Sequence, residues 1–172
     1  KDEILRLSLD PTLTVNVTQA ADAIQLLAQN GLTMTQILDG AATSTVALQN
    51  AVGGEFSTSA SIATSVMQQF NIDAKDMETA IDGITGVTVA SKFDINDYGL
   101  AISQVGGVAA GTGVSLADLN TALAGTASQF NGGSDAGTSF KALLQRLSNP
   151  TKEMTTEMEK YGISLFDDTG KI

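Results

Sequence analysis

The sequence predicts an all-α fold built as serial helical hairpins, about eight helices in all. Three observations carry this expectation. Apolar residues recur at helical spacing through most of the chain, capping residues stand just ahead of those stripes, and glycines stand just after them. At 172 residues the chain is long enough to bury a real core. It has no Trp, six Phe and two Tyr, so that core must be made mainly of Ala, Leu, Ile, Val and Met.

In chain order, Ala20, Ala23, Ile24, Leu27 and Ala28 form the first stripe. Ile62, Ala63, Val66, Met67 and Phe70 form the next, followed by Met77, Ala80, Ile81 and Ile84. Tyr98, Ala101, Ile102, Val105 and Ala109 repeat the spacing, as do Leu116, Leu119, Leu123, Ala127 and Phe130, and then Phe140, Leu143, Leu144 and Leu147. Each stripe buries one side of a helix and leaves polar residues in water.

Residues 1–17 fit this pattern least. Leu5, Leu7 and Leu9 alternate with polar residues, as do Leu13, Val15 and Val17, with Asp10-Pro11-Thr12 between them as a turn signal. Period two suggests a short extended segment. A frayed helix end, followed by a loop to a cap at Thr18, accounts for the same residues equally well. Residues 1–17 are therefore set apart as an extended or linker segment, and residues 18–172 as the helical domain. The start at Lys1 and the close at Asp167-Asp168-Thr169-Gly170-Lys171-Ile172 suggest a fragment of a longer chain.

Helix starts are marked by the capping box Thr33-Met34-Thr35-Gln36, by Asp73 and Ser115, and by Asn149-Pro150 as a cap followed by a first-turn proline. Stops are expected at Gly31, Gly53-Gly54, Gly86, Gly111 to Gly113 and Gly132-Gly133. Gly106-Gly107 is open to two readings, a helix break or close backbone packing against a neighbouring helix.

One unit recurs. Gly31-Leu32-Thr33, Asn71-Ile72-Asp73, Gly113-Val114-Ser115 and Gly162-Ile163-Ser164 each combine a helix stop, an apolar residue and a cap. A polar side chain follows three residues after the cap, at Gln36, Asp76, Asp118 and Asp167. The steps from Leu32 to Ile72, Val114 and Ile163 are 40, 42 and 49 positions, the range of helix-pair repeats.

Composition narrows the chemistry. Nine basic residues stand against 19 acidic ones, a net charge of −10, which argues against DNA and against anionic membrane surfaces. Without Cys or His there is no thiol or imidazole nucleophile and no ordinary zinc ligand set. The weakly polar run from Ile102 to Leu119 is too polar for a membrane span.

Several stretches imitate sites. Asp94-Ile95-Asn96-Asp97-Tyr98-Gly99 opens like a calcium loop, but Tyr98 and Val105 occupy ligand positions, so a helix cap is expected. Gly132 and Gly137 have P-loop spacing, but Thr138 replaces the lysine, which favours a flexible link ending in a cap. Glu153, Glu157, Glu159 and Asp167 include carboxylates that could pair, yet they fit a solvated helix face. Met34, Met67, Met77, Met154 and Met158 are expected mostly in the core, with an adaptable binding surface as the lesser alternative. No residue is assigned a catalytic, cofactor-binding or metal role, and no cofactor is expected.

In this order, several elements resemble the N-terminal helical region of bacteriophage tail tape-measure proteins. They are Gln19 through Thr33, Met67 through Asp76, Val105 through Ser115 and, most specifically, Gly132 through Lys152 with its Gly-Ser-Asp-Ala-Gly-Thr helix start, Leu-Leu-Gln-Arg-Leu helix and Pro-Thr-Lys. The close from Gly162 is also similar. Asn71 departs from the usual glycine, and residues 1–17 match no motif. The resemblance implies a non-enzymatic virion protein of the phage tail, present in the host cytoplasm during assembly. It further implies roles in tail assembly, length determination and genome ejection. Tail-tube proteins, tail-tip proteins, assembly chaperones and further copies of itself would be the partners. A helical-repeat binding module outside a virion is the alternative; a glycan hydrolase is disfavoured by the absence of a paired-carboxylate motif.

Overall fold

The computed structural model describes residues 2–166 together with Lys171. All regular structure among them is helical. Ten α-helical segments run in order: α1 (Asp2–Leu9), α2 (Val17–Gln29), α3 (Met34–Gln36), α4 (Ala42–Val52), α5 (Phe56–Gln69), α6 (Met77–Ala90), α7 (Ile95–Thr112), α8 (Leu116–Thr126), α9 (Gly133–Ser148) and α10 (Lys152–Lys160). A wide turn at Ile37–Ala41 joins α3 to α4, so these two form one kinked helix. The kink is at Gly40, with φ of 135°. A side chain there would be strained in the backbone and would also meet the Ala74 carbonyl oxygen at 2.8 Å.

The hairpins stack in two rows. From α4 to α8 consecutive helices touch, and α4 to α7 each pack more extensively against the helix two further along: α4 on α6, α5 on α7, α6 on α8 and α7 on α9. The first row is thus α4, α6 and α8; the second is α5, α7 and α9. α2 covers the start of both rows and α1 lies on α2. Leu27, Ile37, Leu48, Ile84, Ile102 and Leu123 are among the fully buried side chains of the one continuous core.

The recurring stop-and-cap unit is a geometric one. At all four places the backbone turns left-handed, with φ of 94° at Gly31, 51° at Asn71, 88° at Gly113 and 65° at Gly162. The following apolar residue then donates its N–H five residues back: Leu32 to Leu27, Ile72 to Met67, Val114 to Ala109 and Ile163 to Met158, at 2.9 to 3.1 Å. This Schellman closure satisfies carbonyls that the helix end would leave bare. Thr33 and Ser115 then cap α3 and α8 through their hydroxyls. Asp73 begins its short 3₁₀ turn without a side-chain cap bond. Asp167, the fourth polar position, lies outside the described residues, as does the Asp167 to Gly170 turn.

Several boundaries differ from the sequence expectation. Asp2–Leu9 is helical, not extended. Its two acidic residues stand in the first turn and Arg6 in the last, favourable to the helix dipole, and Arg6 pairs with Glu3 one turn back. Leu7 is fully buried while Leu5 and Leu9 remain in solvent, so the leucine alternation has no sheet-like meaning here. The loop after it carries the expected turn: Thr12 donates both its N–H and its hydroxyl to Asp10 Oδ1, at 2.9 and 2.6 Å. The cap of α2 is Asn16, in a reciprocal box with Gln19, not Thr18. Thr151, not Asn149, caps α10, which leaves Pro150 just outside the helix. Gly86 and Gly111 lie inside helices, and Gly132-Gly133 open α9 instead of closing α8.

The helical glycines explain how the rows stack. A β-carbon on Gly99 would meet Ile62 at 2.8 Å, and one on Gly106 would run into the Gln69 side-chain oxygen. Both pairs advance by seven residues, so α5 and α7 run parallel with glycine seats about two turns apart on one face. Gly83 receives Asn120 of α8 in the same way, at 2.7 Å. Of the two readings of Gly106-Gly107, close packing holds at Gly106, and α7 continues unbroken past both.

Candidate interaction surface

The apparent calcium loop is the start of α7. Asp94 is its N-cap, its Oδ1 accepting the Asp97 N–H at 2.8 Å, and Gly99 is spent on the Ile62 contact. The described residues contain no group of three or more Asp, Glu, His or Cys side chains able to hold a metal ion.

The glycine-rich stretch at 132–137 is neither a phosphate cradle nor a flexible link. Gly133 is buried and donates its N–H to Asp97 Oδ1 at 2.8 Å. The positive end of α9 is therefore filled by a carboxylate from α7. A β-carbon on Gly133 would collide with the Asp97 backbone, and one on Gly137 would lie 2.6 Å from the Ala101 carbonyl oxygen. The motif Gly-Ser-Asp-Ala-Gly thus exists to bring two parallel helices into near backbone contact. Asp135 completes the turn by accepting from the Asn131 backbone and side-chain amides.

The three described carboxylates of α10 do not form an acid/base pair. Glu153, Glu157 and Glu159 are exposed, and Glu157 faces Lys160 at 3.4 Å. Glu153 is held below the usual carboxylate range by its own backbone N–H and the Thr151 hydroxyl, which keeps it ionised where a general acid would need the opposite. Tyr98 is the most perturbed group. Burial pushes its phenol above the ordinary range, and the hydroxyl donates to Asn120 Oδ1 at 2.9 Å. It is enclosed in the core, where it ties α7 to α8.

Of the methionines, Met67 and Met77 are core residues, Met154 and Met158 are half-buried, and Met34 is exposed. α10 buries no residue and makes only marginal contact with the other helices.

Surface clefts remain. One of about 760 Å³ lies beside the two neighbouring stop-and-cap turns, with Gln36, Asp39, Asp73 and Lys75 on its walls. Another, of about 650 Å³, runs between the parallel helices α5 and α7. Its banks are Ser57, Ser61 and Ser65 on one side and Asn96 and Ser103 on the other, with Leu100 half-exposed at the lip. No charged residue lines it. The sequence carries a trace of it: serines repeat every four residues in a charge-free run from Phe56 to Ile72. Such a run is not distinctive in sequence, because serine on an exposed face looks like ordinary solvation.

No solved structure matches the chain. The tape measure protein of Pneumococcus phage Dp-1 is 25% identical over 154 residues. That match covers 90% of this chain and 13% of the phage protein, so the chain spans a small part of this relative's length. The family model for phage-related minor tail proteins matches residues 1–172. With that match running the whole length of this stacked helical array, the chain belongs to the phage-related minor tail protein family.

Proposed function

We propose that this chain is a segment of a tape-measure protein and acts in the virion tail as a structural part, without catalysis. The observation that carries the reading is the alignment with a tape measure protein over nearly the whole chain. Tail-tube and tail-tip proteins and assembly chaperones are the partners, further copies associate with it in the tail, and the work is done in the host cytoplasm before the virion is complete. Tail assembly, length determination and a part in genome ejection are the roles of the whole protein. The division into residues 1–17 and a helical domain 18–172 belongs to the same proposal.

Within that protein, this segment docks or initiates and does not measure. Its longest described helix, α7, has 18 residues. At the helical rise of 1.5 Å per residue that is a rod of only ~27 Å. The rest of the length is folded back on itself in two rows. The acidic balance also supports a protein that lets DNA pass without holding it.

In-frame deletion of Thr18 to Lys152 in the phage genome tests this. Failed or irregular tails, seen by electron microscopy, are the expected result. A ruler made of these residues would instead give regular tails shortened by ~200 Å. Normal tails and full infectivity would remove the proposed role. Purified chain spotted on host cell walls is expected to leave no cleared zone.

A further inference from the structure

We propose that the groove between α5 and α7 is the docking surface for a second copy of this chain. Charge selects the occupant. Each copy carries a net −10, so two copies repel across most of their surfaces. α5 has no charged residue, and the single charge of α7, Asp97, is turned to the Gly133 N–H of α9. Glu55 and Asp94 lie just outside, as the N-caps of α5 and α7 at one end of the groove. The clefts beside the stop-and-cap turns and beside α1 and α2 all include carboxylates. A basic partner would gain more at any of those. A second charge-free cleft, between α6 and α8, is smaller, about 300 Å³, with Thr121 as its one hydroxyl. A second acidic copy meets no opposing carboxylate in the α5–α7 groove.

The chemistry of the banks is self-complementary. A serine hydroxyl both donates and accepts, so Ser57, Ser61 and Ser65 can pair with the same residues of another copy, while Ser103, whose hydroxyl donates to the Leu100 carbonyl, can accept. An isologous contact requires that property. Small side chains let a second helix approach closely, and Leu100, 50% exposed, supplies an apolar anchor beside them. The inference deepens the copy-to-copy association of the proposed function by naming its surface, and its place in a virion rests on that reading. The contact itself does not.

Sedimentation of the 172-residue chain tests it, over roughly 1–200 μM where weak pairs dissociate. Reversible association is expected. S61E/S103E should raise Kd by about tenfold or more, with the helical circular dichroism unchanged. T156E on α10 should leave Kd alone. S61K/S103K should also weaken association with itself, and an equimolar mixture of the Glu and Lys variants should restore it. Should a double variant lose its helical signal, Leu100→Asn provides the same reading at one half-exposed position. A monomer throughout, an affinity untouched by the groove substitutions, or a mixture that fails to associate would each overturn the proposal. Those outcomes leave the tail role standing, since the deletion phage decides that separately.

Discussion

At the residue scale, glycine identity is set by what stands opposite. Gly137 faces the Ala101 backbone with no room for a methyl group, whereas Gly107 has nothing within 4 Å. Gly137→Ala should therefore destabilise the chain by ~1–3 kcal/mol through overpacking. Gly107→Ala should stabilise it by ~0.5–1 kcal/mol through helix propensity. Urea unfolding of the two variants checks both signs; equal effects would contradict the seating of α9 on α7. Asp10 provides a test by pH. Its bonds from the Thr12 hydroxyl, and then from the Thr12 N–H, hold its carboxyl below the ordinary range. The folded value is thus below the unfolded one. The turn gains stability above the ordinary carboxylate value and loses it as pH falls through the folded one. Titration by NMR should show Asp10 protonating at lower pH than a model peptide, and Thr12→Val should reverse part of that difference.

Elements are joined by a few specific contacts in addition to apolar burial. The Tyr98 hydroxyl on α7 and Asn120 on α8 are both buried and bonded, and Asn120 also fills the seat at Gly83 on α6. Three helices meet at one amide. Asn120→Leu leaves the phenol unpaired and should cost ~2–3 kcal/mol, while Tyr98→Phe should cost ~1–3 kcal/mol by stranding the amide oxygen. The double variant should lose less than the sum, because no buried polar group is left without a partner. Additive losses in a double-mutant cycle would mean that the two side chains act independently. Lys92 makes a second join, its ammonium donating to the Phe130 carbonyl at 2.6 Å and holding the α6–α7 link to the end of α8. Phe130 in turn packs a tilted ring on Phe140 of α9, 5.9 Å between centroids.

For the whole molecule, the two-row stack leaves seams open between α5 and α7 and between α6 and α8, while the seam between α7 and α9 is closed by glycines. Stacked hairpins depend on their neighbours for stability, so a cut inside the array should unfold it broadly. α10 is the exception. It buries nothing and should fray first, which amide hydrogen exchange across Lys152–Lys160 would record as the weakest protection among the helices. The perturbed phenol of Tyr98 is locked in the core, and the described carboxylates of α10 face solvent.

By itself, the sequence determined the all-helical class and the helix ends that close locally. Local rules suffice there: apolar stripes at 3.6-residue spacing, Thr33 and Ser115 as caps, and the four left-handed turns at Gly31, Asn71, Gly113 and Gly162 all act within five residues. It did not determine α1, because Leu5, Leu7 and Leu9 satisfy both periods and only burial of Leu7 against its neighbours selects one. Nor could it separate the glycines that end helices from those that seat them. Gly86, Gly106 and Gly133 look alike in sequence, and what distinguishes them is a partner 36 or 37 residues away or the lack of one: Gln69 against Gly106, Asp97 against Gly133, nothing against Gly86. Tertiary structure alone decided those contacts, and with them the charge-free groove, because a surface between two helices exists only once both have been placed side by side.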